Sequence, residues 1–218
     1  MSNEKTKKMN QETFQQADGY FSALWSRESA KLINGAIAPA EMKDGATVPI
    51  NYCISTIGRT ISQVDGVQIS QNTHKLLTPL LEQTTNQFIY PIDSMHVSMI
   101  GCTPRKDSMD MFPPTQIAKI KQICGEALSK VNPAKITFRG VGLIGNQIFL
   151  QGYPHDRNWE SARSIVESNL LDEGEEPISY PDKFPIHMNI ARITDVSGLN
   201  LDRIRDFIEQ NRMTEIGT

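Results

Sequence analysis

Two short motifs in the chain each combine a histidine with a hydrogen-bonding side chain two residues later. The run MHVSMIG contains His96 and Ser98, and the run IHMNIAR contains His187 and Asn189. Because alternate side chains of a β-strand share a face, each strand is expected to present its histidine and its polar partner on the same side. Two imidazoles, whose ordinary pKa is about 6.5, can divide the work of a general base and a general acid between them.

The polar partners of the two histidines suit an anionic phosphate. The Ser98 hydroxyl and the Asn189 amide can donate hydrogen bonds to non-bridging phosphate oxygens and stabilise the charge that grows there in a transition state. If the two strands pack about a pseudo-twofold axis, all four side chains converge on one groove. The two motifs together therefore predict acid–base chemistry on a phosphodiester.

The order of secondary-structure elements at the first motif is expected to recur at the second motif. The expected elements are strand 88–101, helix 115–131, a hairpin around Gly145-Asn146, helix 159–171, strand 184–194 and helix 199–211. An earlier strand is expected over 47–57 and a helix over 70–85, with Pro79 in its first turn or at a break. No hairpin is expected after the strand and helix of the second motif, because only RMTEIGT follows that helix. Either the chain ends before that hairpin, or another segment such as strand 47–57 completes the second lobe.

The N-terminal part precedes these repeats. Residues 1 to about 18 are polar and are expected to form a solvated tail, whereas apolar residues at helical spacing predict a helix over 19–37. A linker that contains proline, glycine and charge follows. We therefore divide the chain into a tail with a helical extension (1–45) and a single domain (46–218). A structural or interaction role for the extension is one hypothesis for its presence.

The two motifs resemble those of the two-histidine (2H) phosphoesterases, whose signature is a pair of His-x-Ser/Thr motifs on matching strands. The resemblance covers approximately residues 47–212 and implies an α+β fold with two pseudo-symmetric lobes of antiparallel sheet and helices packed outside. It also implies that His96 and His187 are the acid–base pair and that Ser98 and Asn189 bind phosphate. Asn189 departs from the family pattern, because Ser or Thr is expected there.

The resemblance further implies the kind of reaction and substrate. The family acts without a metal or other cofactor on cyclic phosphates, 2′-5′ linkages or RNA ends, so we expect a phosphodiesterase whose substrate is a small nucleotide or an RNA end. The alternative is a module on the same fold that binds a nucleotide or RNA end without cleaving it, which the substitution at Asn189 permits.

Other polar residues have less specific patterns. Tyr153 could stack on a base and His155 could approach the groove, with a simple loop role as the alternative for each. His74 is expected to be solvated. Arg192 has the opposite strand parity to His187, so it is expected to make a structural pair.

The composition excludes several classes of protein. Of 218 residues, Lys and Arg number 22 and Asp and Glu 25, so the net charge of −3 does not favour binding to long duplex nucleic acid. The three cysteines lack metal-site spacing and are expected to be reduced, packed thiols. No apolar run is long enough for a membrane span or a signal core, so the cytoplasm is the expected location. No oligomeric state is predicted.

Overall fold

The computed structural model describes residues 3–43, 46–47, 53, 55–58, 63–81, 87–91, 94–178, 185–196 and 201–218. Within these residues the helices are α1 (Asn3–Ile33), α2 (Gln63–Leu81), α3 (Pro114–Leu128), α4 (Asn158–Asp172) and α5 (Leu201–Asn211). The strands are β1 (Met42–Lys43), β2 (Ala46–Thr47), β3 (Ser55–Gly58), β4 (Phe88–Ile89), β5 (Val97–Gly101), β6 (Ile136–Ile144), β7 (Gln147–Pro154), β8 (Ile186–Arg192) and β9 (Glu215–Gly217). The protein is thus α+β, as expected.

Much of the predicted order is confirmed. The helices predicted at 115–131 and 159–171 are α3 and α4, and the hairpin of β6 and β7 turns at Gly145, whose φ of 57° lies in the left-handed region that glycine tolerates. The predicted helix at 70–85 begins earlier, at Gln63, and Pro79 lies in its last turn rather than in its first. Parts of the predicted strand 47–57 and of the helices at 70–85 and 199–211 lie outside the described residues.

One antiparallel sheet contains most of the strands. Among the described residues its order is β3-β5-β8-β7-β6-β9, and β4 also pairs with β8. The predicted strand 88–101 is therefore two strands, both paired with β8, with Phe88 opposite Arg192 and Val97 opposite Met188. Pro91 lies between them and has no backbone N–H to donate, so it cannot continue a ladder. The two strands that carry the histidine motifs are consequently neighbours.

The outer strands differ from the sequence-based expectation. Strand β3 pairs with β5, the strand of the first motif, so it does not lie beside β8, as the alternative that this segment completes the second lobe would require. The last residues of the chain, which are too few for a hairpin, form the single strand β9 and pair with β6, where Phe138 lies opposite Gly217.

The N-terminal residues are helical rather than irregular, because α1 already includes residues 3–18. Phe14 and Ala17 pack against the same cluster as Phe21 and Leu24, which contains Phe149 of β7. These α1 positions recur every three or four residues, so they form one apolar stripe along the helix. The residues around Phe14 are polar, so the sequence pattern did not indicate this stripe, through which α1 packs against β7.

Glu28 of α1 forms a hydrogen bond to the turn of the β6–β7 hairpin. Its side chain is fully buried, lies 2.9 Å from both Arg27 and Lys31 in ion pairs, and accepts a hydrogen bond of 3.1 Å from the Gly145 amide. Burial alone raises the pKa of Glu28, but the hydrogen bonds from Lys31, Arg27 and Gly145 outweigh it, so the pKa lies below its ordinary value.

We expect Glu28→Ala to lower the free energy of unfolding by about 1–3 kcal/mol, because it leaves the Gly145 amide without its acceptor. Since the pKa of Glu28 is lowered in the folded state, this contribution is complete above the ordinary pKa of 4.5 and is lost as the pH falls further. Urea unfolding at neutral pH measures the effect. Glu12→Ala, at an exposed position of the same helix, is the control and should unfold like the parent.

Three further observations bear on the expected classes of protein. Cys102 and Cys124 are buried thiols without a disulfide bond, which confirms the expectation for these two, whereas Cys53 is half-buried. In the part of the chain that the structure describes, no helix is long and apolar enough to cross a bilayer. No group of three or more His, Cys, Asp or Glu side chains there is placed to hold a metal ion.

Candidate active site

The two motif strands present their polar residues on one face of the sheet. Val97 and Met188 are buried in the hydrophobic core, whereas Ser98 is exposed and the His96, His187 and Asn189 side chains are half-buried. This alternation is the one that the sequence pattern predicts for strands with a single buried face.

The pairing of β5 with β8 brings the two motifs together. Val97 lies opposite Met188, and the strands are antiparallel. Continuing this register by one residue in each direction sets Ser98 opposite His187 and His96 opposite Asn189. Directly opposite residues have Cβ atoms about 4.5–5.5 Å apart. Each histidine therefore has the polar partner of the other motif as its cross-strand neighbour.

Both imidazoles are held in the same way. His96 Nδ1 lies 2.7 Å from the Ser94 carbonyl oxygen, and His187 Nδ1 lies 3.2 Å from the Pro185 carbonyl oxygen. A carbonyl oxygen only accepts, so Nδ1 is the donor in each pair and carries the proton. In the neutral ring Nε2 is then the nitrogen with the lone pair. The two motifs thus share a bond to the carbonyl two residues earlier, and both rings are set to exchange protons at Nε2.

The surroundings of His187 favour its neutral form. Burial lowers the pKa of His187 from its ordinary value, and the nearby His96 and Arg163 lower it further, although the bond to the Pro185 carbonyl acts in the opposite direction. The ring also meets the Phe149 ring edge to face, with the centroids 5.4 Å apart. A neutral imidazole with a lowered pKa suits a general base.

Asn189 has a buried acceptor that lacks a donor. Among the described residues no hydrogen-bond partner reaches Oδ1 of Asn189, and the atom is shielded from solvent. Because Asn189 lies across the strand pair from His96, a hydroxyl bound beside His96 is a suitable donor for it. The substituted motif residue therefore keeps hydrogen-bonding capacity at the site.

Arg163 of α4 is a site residue that the sequence reading missed. Its Nε donates a hydrogen bond of 3.1 Å to the Met99 carbonyl oxygen, next to Ser98, and its charge acts on His187. The guanidinium is thereby fixed beside both motif strands, where a cation could pair with an anionic group. Its sequence context, a charged position in an amphipathic helix, gives no signal of this placement.

The other residues considered from the sequence are placed away from the chemistry. Tyr153 is 1% exposed, and its ring stacks on Phe14 of α1 with the centroids 4.4 Å apart. The prediction that it stacks on a base is therefore corrected, because α1 occupies that face of the ring. His155 bonds the Thr137 hydroxyl at 2.7 Å, which is a structural loop role.

The expectations for two further residues are confirmed. His74 is exposed on α2. Arg192 donates a hydrogen bond of 2.7 Å to the Tyr90 hydroxyl, which is the structural pairing that its strand parity indicates.

Comparison with known proteins gives no independent assignment. The chain matches no protein-family model and no curated protein sequence.

Proposed function

We propose that the protein is a metal-independent phosphodiesterase of the 2H type, acting on a cyclic or 2′-linked phosphodiester of a nucleotide or RNA end. The observation that carries the proposal is the matched pair of histidines on adjacent strands, each fixed through Nδ1 to the carbonyl two residues earlier. Two lobes that meet at the junction of β5 and β8 are part of the same proposal. The antiparallel sheet and the helix that follows each motif strand support it.

In the proposed hydrolysis of a 2′,3′-cyclic phosphate, His187 is the base and His96 is the acid. His187 Nε2 takes a proton from water while the water oxygen forms a bond to phosphorus. The bond from phosphorus to one ribose oxygen breaks, and that oxygen takes the Nε2 proton of the His96 imidazolium. The product is a phosphate monoester, and proton exchange with solvent returns both rings to their starting forms.

The remaining site residues would bind the phosphate and the ribose. The exposed Ser98 hydroxyl can donate to a non-bridging oxygen, and the Arg163 guanidinium offsets the charge that develops there. The buried Oδ1 of Asn189 can accept a hydrogen bond from a ribose hydroxyl. Such a role would differ from the phosphate contact that the family resemblance implies for this position.

Turnover of a substrate panel in EDTA tests the proposal. The panel contains nucleoside 2′,3′-cyclic phosphates, nucleoside 3′,5′-cyclic phosphates and 2′-5′-linked and 3′-5′-linked dinucleotides. We expect phosphodiester cleavage of at least one 2′-linked or 2′,3′-cyclic member at an unchanged rate when EDTA is present. Turnover that requires an added divalent cation would contradict a mechanism of two histidines.

The pH dependence of kcat/KM gives a sharper prediction. Because the base must be neutral and the pKa of His187 is lowered, activity should rise with pH through a midpoint below the ordinary histidine value of 6.5. Arg163→Gln should move this ascending limb to higher pH, since it removes a charge that lowers the pKa of His187. Lys119→Gln, on the exposed surface of α3, is the charge-matched control and should leave the limb in place. An ascending limb above 6.5 in the parent protein would overturn the assignment of His187 as base.

The substitution at Asn189 supports a second candidate, a module that binds the same ligands without cleaving them. Titration of the protein with the panel members, with product measured in the same samples, separates the two candidates. Saturable binding without product would favour the binding module.

A further inference from the structure

A cavity lies between α1 and α4, where β7 ends and β8 begins. It is a small cavity that opens to solvent, with a volume of about 50 Å³ for the centres of water-sized spheres. Gln16 and Tyr20 of α1 line one side, and Trp159, Glu160 and Arg163 of α4 line the other. We call this space the α1–α4 cavity, and nothing in the chemistry described above uses it.

The α1–α4 cavity adjoins the catalytic strand. Pro185 and Ile186 line it, and they immediately precede His187. The Pro185 carbonyl oxygen is also the group that accepts the hydrogen bond from His187 Nδ1. Two residues of strand span roughly 6–7 Å, so a molecule bound at His187 can extend into the cavity. Arg163 belongs to both places, because it lines the cavity and acts on His187.

Trp159 gives the cavity an unused hydrogen-bond donor. Trp159 is 5% exposed, and among the described residues its indole Nε1 has no hydrogen-bond acceptor. Buried polar groups are nearly always paired, and an indole nitrogen can only donate. A hydrogen-bond acceptor on a ligand in the cavity would pair with this indole N–H.

Apart from Arg163, which also acts on His187, the wall residues point to a neutral, planar ligand group. The negative charge of the Glu160 carboxylate would repel a second phosphate. The same carboxylate can accept a hydrogen bond from an amine or imide N–H. The Gln16 amide can both donate and accept, and the Tyr20 ring at the wall is 37% exposed and offers an apolar face. A nucleobase combines a flat apolar face with donors and acceptors along its edge.

We propose that the α1–α4 cavity binds the nucleobase of the molecule whose phosphodiester is processed at His96 and His187. This inference rests on the proposed function for the position of the phosphate. It assigns base recognition to α1 and α4, and it makes Trp159 a specificity residue that acts on binding rather than on the chemical step.

Trp159→Phe tests this inference because it keeps the aromatic ring and removes the N–H. For a nucleoside 2′,3′-cyclic phosphate we expect KM to rise about 3–10-fold, with kcat within about twofold of the parent. For the base-free 2′,3′-cyclic phosphate of methyl riboside, both constants should stay unchanged. Equal effects on both substrates would indicate a structural role and would overturn the proposal, as would a parent protein that has the same KM for both.

Gln16→Ala provides a second variant on the opposite wall, where the side chain is exposed and folding is not at stake. It should raise KM only for the substrate that carries a base. Gln15→Ala, on the neighbouring exposed position of α1, is the matched control and should behave like the parent. An equal response of the two glutamine variants would contradict a base contact from α1.

Calorimetric titration with free nucleosides separates this inference from the proposed function. Suppose that nucleosides bind, that Trp159→Phe weakens this binding, and that no cyclic phosphate is turned over. This result would support nucleobase binding in the α1–α4 cavity and contradict the proposed phosphodiesterase activity. Turnover of cyclic phosphates with no dependence on a base would do the reverse. Absence of both nucleoside binding and turnover would overturn both proposals.

Discussion

Replacement of His96 or of His187 by alanine is expected to lower kcat for the best cyclic phosphate by roughly 10²–10⁴-fold, the usual size of a general acid–base contribution. KM should change far less, because neither ring binds the substrate strongly in the ground state. The double variant should be little worse than the more severe single variant, since the two groups act in one concerted step. Steady-state rates in EDTA measure all three variants.

The surface histidine of α2 supplies the control for these variants. His74→Ala should keep the parent rate, because this side chain is exposed and belongs to no motif. Thermal unfolding must accompany the rates, since His187 packs against Phe149 and its truncation leaves a space in the sheet face. His187→Gln occupies more of that space and should be as inactive as the alanine variant. A His96 or His187 variant that is folded and retains the parent rate on every substrate would contradict the assignment of these residues as the acid–base pair.

The residues that sequence reasoning placed well are those whose pattern is local. Strand parity in MHVSMIG and IHMNIAR predicts one polar face and one buried face, and β5 and β8 have this arrangement. The helix after each motif is predicted because its apolar residues recur at helical spacing, as in α3 and α5. Such patterns express which side of an element is buried, and that information is contained in a few consecutive residues.

The features that the sequence reading missed depend on contacts between distant segments. Arg163 approaches the motif strands only because α4 packs against β5, and no spacing in the sequence encodes that pair. The early start of α1 depends on Phe14 finding Tyr153 of β7, across more than half of the chain. Tertiary contacts of this kind decide the outcome where local preference is weak.

The aromatic contacts beneath α1 connect the N-terminal helix to the candidate catalytic base. Phe21 of α1 is 2% exposed, and its ring centroid lies 6.0 Å from that of Phe149 and 5.6 Å from that of Tyr153. Phe149 in turn contacts the His187 ring at 5.4 Å. The stripe on α1 is therefore one contact removed from the chemistry, and its loss should affect both the stability of the fold and the environment of His187.

Phe21→Ala is accordingly expected to lower the free energy of unfolding by about 3–5 kcal/mol, the usual range for a buried aromatic side chain. For a chain of this size the corresponding fall in Tm is roughly 6–20 °C. Ile33→Ala, at a 65% exposed position of the same helix, is the matched control and should shift Tm by no more than about 2 °C. Removal of residues 1–34 should have a larger effect than Phe21→Ala, because it uncovers Phe149 and Tyr153 together.

The same variant also measures how far the site depends on α1. When Phe21 is lost, the Phe149 ring gains freedom and water can approach His187, so the burial that lowers the pKa of His187 is reduced. The imidazole of His187 should then titrate at a higher pH in Phe21→Ala than in the parent protein, as followed by NMR below the unfolding temperature. Equal titration in both proteins would confine α1 to a stabilising role, and equal stability of Phe21→Ala and Ile33→Ala would contradict the packing of α1 on the sheet.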